Sequence, residues 1–398
     1  MNNYISKKFS DLFLLFQKNL FLRKLKVIFY YIDGIMLPFL PKAKYIKEKK
    51  KKVLVLYNQF LGDAVIWRCS SIHLRELYPR NKYKITLLCQ KGLNKIYEID
   101  GIYDEIIQID FNKSTFNLLE RFKNYKILRN TYYDILIDPV GVSEWLTNIF
   151  YTRMILSKEK YGVRDINLIS YCNLKKVNKI YSKIIEIEEN NLHLIEYYSE
   201  FLCKLTNKKI NVGLEKFKTT PNKFSLPKKY YIIFPGASTS LKRWNLEKYA
   251  MLSKKIYDKT KMKLVLLGTS SDKEVIDKFK KLLNVPYIDL FNKTNLNDYI
   301  DIITKSSLVI TNDTSAYHIA VMQQTPVVII SGLYTYHRYM LYNFKRMNEF
   351  KKPILVIDKR KCMDCYNRCV YLKKSNENWP CLESITVDDA WEKIKNIL

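Results

Sequence analysis

Four short stretches of this chain combine small, hydroxyl and charged residues in ways that suit chemistry on a phosphorylated ligand. In PGASTSLKRW (235–244) a small-residue loop supplies backbone N–H groups and the hydroxyls of Ser238 and Thr239, which suit phosphate oxygens. Lys242 and Arg243 follow as countercharge. A solvated basic loop is the plain alternative in a chain with 68 Lys and Arg. In NDTSAYH (312–318), Thr314 and Ser315 fall where a helix begins, and His318 lies four and three residues later on the same helical face. A diphosphate docked at that helix N-terminus would meet all three. Asp313 is an anion and no phosphate ligand, so it is assigned to capping or to orienting its neighbours. In the pair Gly62-Asp63, Gly62 permits a tight turn, while Asp63 is either a helix N-cap or a general base. A helix N-terminus weakens a carboxylate as a base, and desolvation strengthens it. In GTSSDKE (268–274), Asp272 or Glu274 can hold ribose hydroxyls; spacing does not choose between them.

Four of the eight cysteines crowd into Cys362, Cys365, Cys369 and Cys381. Four thiolates with a C-x2-C core can close a tetrahedral structural zinc site, and reduced, buried thiols are the alternative. No histidine lies nearby in sequence to activate a thiolate, so catalysis by these cysteines is not expected.

These stretches sit between alternating elements. Val53–Tyr57, Tyr83–Cys89 and Tyr133–Asp138 read as strands. A second series runs through Tyr230–Phe234, Lys263–Leu267, Tyr287–Leu290, Leu308–Thr311, Val327–Ile330 and Leu355–Ile357, with helical patterns between most of them. Strand–helix alternation predicts two doubly wound parallel α/β domains with ligand in the cleft between them, bound at the ends of the strands. The pattern weakens between Lys175 and Lys229, where the boundary belongs. The division expected is a leader over 1–51, one domain over 52–215 and a second over 216–398. Val387 to Leu398 reads as an amphipathic terminal helix.

A net charge of +29 favours anionic company. The basic residues are spread along the chain without a helix-turn-helix or ribonucleoprotein signature, so no nucleic acid is expected as a partner. A non-catalytic nucleic-acid-binding protein is the competing reading from another class. The leader is apolar but broken by charges, too short to span a bilayer and without a signal-peptide cleavage site. Between Pro41 and Lys52 stand seven lysines against the single Glu48. Apolar helix plus polylysine reads as an anchor on an anionic leaflet; a helix packed on the protein's own body with a solvated linker is the alternative.

Together LVLYNQFLGDAVIW (54–67), PGASTSLKRW (235–244), LLGTSSDKE (266–274) and SLVITNDTSAYHIAVMQQTPVVIISG (307–332) resemble glycosyltransferase family 9, the lipopolysaccharide heptosyltransferases. The resemblance runs from about Lys52 to the C-terminus. It implies a GT-B fold and inverting, metal-independent transfer of heptose from an ADP-linked donor to a lipid-linked oligosaccharide acceptor. No cofactor is then needed for catalysis, in keeping with the absence of any Asp-x-Asp chelate. By position it implies Asp63 as catalytic base, Lys242 at the donor phosphates, Thr314, Ser315 and His318 in the diphosphate loop, and Asp272 or Glu274 at the ribose. Trp145, Arg153 and Arg164 are candidates to face the acceptor. The protein would then be cytoplasmic, peripheral on the inner face of the membrane. Two departures stand out: Ser315 replaces the family's glycine, and Ser331-Gly332-Leu333-Tyr334 replaces a Gly-Pro-Thr-like loop. Another nucleotide sugar, a sugar-nucleotide epimerase and a binding-only member of the family are the alternatives.

Overall fold

Runs such as VLVLY and YYIIF are apolar at every position, the pattern of parallel strands buried on both faces. They do assemble that way. The computed structural model describes residue 28 and residues 31–142, 147–165, 178–344, 350–358, 360, 362–366, 369–371 and 378–398. These form two compact units, one ending at Val212 and the other beginning at Gly213.

In the first unit, β1 (Lys51–Tyr57), β2 (Tyr83–Gln90), β3 (Glu105–Ile109), β4 (Tyr132–Asp138), β5 (Leu156–Asp165) and β6 (Lys183–Ile187) form one sheet in the order β3-β2-β1-β4-β5-β6. Every pairing is parallel. Val53 to Tyr57 are wholly buried at its centre. Burial of each such large side chain contributes about 1.5–3 kcal/mol.

The second unit repeats the plan with β7 (Tyr230–Phe234), β8 (Lys263–Leu266), β9 (Tyr287–Asp289), β10 (Leu308–Thr311), β11 (Val327–Ile330) and β12 (Ile354–Val356). The order is β12-β11-β10-β7-β8-β9, again all parallel. The helix Leu246–Thr260 is capped by Asn245 and buries Tyr249, Leu252, Ser253 and Ile256, a helical stripe. The terminal helix is Val387–Ile394, opened by a capping box between Thr386 and Asp389.

The weak region after Lys175 is not a linker throughout. It holds β6 and the helix Leu194–Thr206, whose Tyr198 packs edge-on to Trp67 with ring centroids 5.0 Å apart. Tyr198 also shares a 2.9 Å hydroxyl hydrogen bond with Tyr57. Residues 31–50 likewise lie on the first unit: Leu37 and Leu40 join a core cluster with Tyr125 and Leu128. Among the described residues no helix is long and apolar enough to cross a membrane.

The turn after β4 shows how tightly the first sheet constrains its loops. The buried Asp138 carboxylate accepts from the Gly141 N–H (2.8 Å), Asn148 (2.9 Å), Thr152 (2.8 Å) and Tyr181 (2.7 Å). Gly141 has φ +59°, and a Cβ there would lie 1.9 Å from the Val163 carbonyl oxygen. We predict that Gly141→Ala lowers the unfolding free energy by more than about 1 kcal/mol, measured by urea denaturation followed by circular dichroism. Gly213→Ala, with open space around it, serves as the control and stays within about 0.5 kcal/mol of the parent.

Candidate functional site

In the second sheet the chain runs outward from β7 to β9, then returns to the other side of β7 for β10 to β12. The reversal falls between β7 and β10, which pair with Thr311 opposite Phe234. Open parallel sheets bind ligands at such a switch point, beyond the carboxyl ends of the strands. Both phosphate-type loops start there, at Pro235 and at Asn312.

Asn312 joins them. Its side-chain amide donates to the Pro235 and Gly236 carbonyls at 2.9 and 3.1 Å, and more weakly to Phe234 at 3.4 Å. Its Oδ1 accepts from the Trp244 N–H and the Tyr249 hydroxyl, both at 3.0 Å. A fully buried amide with both ends satisfied fixes two loops that share no strand. The sequence reading passed over Asn312; its only signal was its place directly after β10.

Asp313 is buried, and it orients rather than caps. Thr314 is the N-cap of the helix Ser315–Gln323. Lys242, on a 3-10 turn, places Nζ 2.9 Å from Asp313 Oδ2. The Tyr334 hydroxyl donates to the same oxygen. The Tyr334 ring lies under the Lys242 ammonium, 5.0 Å from nitrogen to centroid, and is backed by Trp379 at 4.0 Å. Burial alone would raise the Asp313 carboxyl, but Lys242, His318 and the Tyr334 hydroxyl together hold it below its ordinary value. It is therefore an anion that fixes one ammonium group at the switch point. Tyr334, which this reading also missed, stands in the stretch that departs from the family's Gly-Pro-Thr-like loop.

Other expected ligands are placed differently. Arg243 turns back on its own loop and donates to the Ala237 carbonyl at 3.0 Å, so it is not beside Lys242 at Asp313. Ser238 is exposed and Thr239 half-buried. His318 is buried, with Nδ1 2.8 Å from the Tyr342 hydroxyl and Nε2 3.8 Å from Asp313. Burial lowers its pKa to about 4, aided by Lys242 and opposed by Asp313, so at neutral pH it is an uncharged partner of Asp313. Ser315 hydrogen-bonds Tyr299. The structure separates the two ribose candidates. Asp272 packs between the glycine loops, within 2.6 Å of where a Gly236 Cβ would stand, while Glu274 is exposed and pairs with Lys278.

In the first unit, Asp63 lies in the first turn of the helix Leu61–Ser71 and is not its N-cap, which is Phe60. The helix starts where the chain leaves β1, beside the switch point between β1 and β4. Asp63 is half-buried, and its backbone carbonyl accepts from the Tyr57 hydroxyl at 3.0 Å. Of the acceptor candidates, Trp145 lies outside the described residues. The Arg153 guanidinium sits against Gly34, 3.1 Å from where a Cβ would be, and Arg164 pairs with Glu186 of β6.

Cys362, Cys365, Cys369 and Cys381 form no disulfide. Among the described residues no three His, Cys, Asp or Glu side chains converge to hold a metal ion. Cys381 packs beneath Gly332, and burial pushes its thiol up.

Two six-stranded parallel sheets with these loops define an α/β protein of the GT-B class. A family model described as glycosyltransferase family 9 (heptosyltransferase) matches residues 121–372, and the chain belongs to that family. The crystal structure of a family 9 glycosyl transferase from Veillonella parvula DSM 2008 superposes with a TM-score of 0.61 at 18% identity, covering 88% of this chain and 98% of that one. The E. coli heptosyltransferase WaaC with ADP-2-deoxy-2-fluoro heptose gives 0.58 at 16% identity, covering 87% and 100%. A curated relative, the lipopolysaccharide core heptosyltransferase OpsX of Haemophilus influenzae, is 27% identical over 128 residues. That alignment spans 32% of this chain and 36% of the relative.

The buried histidine has a measurable consequence. His318 is neutral in the fold to about pH 4, whereas an unfolded chain protonates it near 6.5. Its favourable contribution is complete above pH 6.5 and declines as pH falls toward 4. Urea unfolding should therefore lose on the order of a few kcal/mol across that window. His318→Gln should flatten the dependence, whatever its effect on absolute stability.

Proposed function

We propose that the protein transfers a heptose, or a closely related sugar, from an ADP-linked donor to a lipopolysaccharide core or another surface-glycan acceptor. The transfer inverts the anomeric carbon and runs without a divalent ion. One observation carries this reading: the Lys242 ammonium is held by a buried carboxylate at the switch point of the second sheet, where a helix also begins. As the bond from the anomeric carbon to the diphosphate oxygen breaks, negative charge grows on the leaving phosphate. Lys242 and the amide N–H groups opening the helix Ser315–Gln323 are already in position to meet it. Asp63 accepts the proton of the acceptor hydroxyl as its oxygen bonds to the anomeric carbon, and the nucleoside diphosphate leaves. Asp272, packed beside the Gly236 loop, is the better placed carboxylate for the ribose.

The family membership and the WaaC structure with an ADP-heptose analogue support the donor. Ser315, tied to Tyr299 where the family has glycine, favours a second reading in which a different nucleotide sugar is used. A lipid-linked acceptor puts the reaction at the cytoplasmic face of a membrane.

A thermal-shift screen of nucleoside diphosphates and their sugars tests the donor. ADP at about a hundred times its Kd should stabilise the fold by about 2.7 kcal/mol, and no shift with any nucleotide would refute the reading. Asp63→Ala should abolish transfer and leave ADP affinity within about twofold; equal loss of both would remove the base assignment. Lys242→Ala removes a charge-assisted contact worth about 1.5–3 kcal/mol, so calorimetry should show ADP binding weakened by roughly 10- to 100-fold. Tyr334→Phe keeps the ring under the ammonium and deletes the hydroxyl on Asp313. ADP affinity should fall about three- to tenfold, with adenosine binding unchanged.

A further inference from the structure

We infer that residues 31–51, together with the outer face of the helix Leu118–Leu128, form a docking surface for an anionic lipid bilayer. The inference deepens the proposed function, because a lipid-linked acceptor lies at such a surface.

The segment is a strap fastened to the first unit along one side. The buried Asp33 carboxylate lies 3.0 Å from Arg121 Nε and accepts from the Tyr125 hydroxyl at 2.8 Å. Eight residues later Arg129 donates to the Pro41 carbonyl at 2.8 Å, and its own carbonyl accepts the Ala43 N–H at 3.2 Å. The strap thus runs beside the helix in the same direction, from Arg121 to Arg129. Leu37 and Leu40 fill the seam between them.

This fastening leaves apolar side chains on the outside. Ile35 is 71% exposed, Phe39 and Ile46 are each 73% exposed, and Tyr31 is half out. On the neighbouring helix Leu119 is 77% and Ile127 57% exposed. Positions 119, 123, 126 and 127 share one helical face, on which Lys123 and Lys126 lie between the apolar Leu119 and Ile127. A water-facing helix and strap have no folding reason to carry this many large apolar groups.

Charge selects the occupant. Lys42, Lys44, Lys47, Lys49, Lys50 and Lys51 are exposed along the same strap, and the single carboxylate among them, Glu48, is engaged by Lys52. Apolar side chains rimmed by lysines match the interfacial layer of a membrane, where rings and aliphatic groups enter the headgroup region and ammonium groups meet lipid phosphates. A protein partner of ordinary composition offers no such uniform negative field.

The test uses the full chain and vesicle flotation. Wild-type protein should float with vesicles of phosphatidylethanolamine and phosphatidylglycerol, stay behind with pure phosphatidylcholine, and be released by high salt. Ile35→Glu with Phe39→Glu alters exposed groups alone and should lower partitioning by more than about tenfold. Replacing Lys44, Lys47, Lys49 and Lys50 with Gln should lower it by a similar factor. Circular dichroism melting should be unchanged in both. Wild-type protein that fails to float, or variants that float like it, overturn the inference. So does a wild-type dimer that Ile35→Glu with Phe39→Glu converts to monomer while vesicle binding persists. Glycosyl transfer to a delipidated acceptor separates the two proposals. Its retention in variants that no longer float supports both, whereas vesicle binding without transfer to any acceptor removes the function and leaves the surface.

Discussion

A carboxylate out of contact with water is tolerated only when a cation and hydrogen-bond donors surround it, and Asp313 imposes that condition on the whole second unit. It requires Lys242, which requires the 3-10 turn Ser240–Lys242 to sit over β10. The turn is kept there by Asn312, which holds the carbonyls of the preceding loop and the N–H of Trp244. Tyr334 supplies the remaining donor and a ring face for the ammonium, and Trp379 keeps that ring in place. Exchanging Lys242, Tyr334 or Asn312 would therefore remove a partner from another buried polar atom.

The sheets supply the geometry that makes this condition useful. Because β7 and β10 are neighbours in space but far apart in sequence, two loops with different residues meet at one point. The first unit uses the same device at β1 and β4, where the Asp63 helix and the Asp138 turn begin. The second unit presents N–H groups and an ammonium, while the first presents a half-buried carboxylate.

The central strands were legible in the sequence because burial on both faces leaves no polar position in VLVLY, YYIIF or VVII. β5 and β6 were not. LSKEKYGVRD carries charges at nearly every other place because it lies toward the sheet edge, and KIIEI is short. Lys242 was found by its place in a small-residue loop, but the adjacent Arg243 has the same charge and a different task, which only the path of the backbone reveals. Asp63 was placed correctly at a helix start, yet whether a residue is the cap or lies three positions further on, within the first turn, depends on the dihedral angles at Phe60. Arg153 was unreadable for another reason: its neighbour, Gly34, belongs to a segment more than a hundred positions earlier. The spacing of the cysteines did not reveal that Cys381 packs beneath Gly332, a residue 49 positions earlier, while Cys362 and Cys369 also act on its thiol.

The helix Ser315–Gln323 also limits how this unit can move. From Ala316 to Met322 every side chain is buried, and only its end residues Ser315 and Gln323 are partly exposed. Such a rod is wedged in material as dense as an organic crystal, and it cannot tilt or slide without opening voids around it. Its first turn is therefore a fixed anvil. Any movement within this unit must be taken up by other parts of the chain.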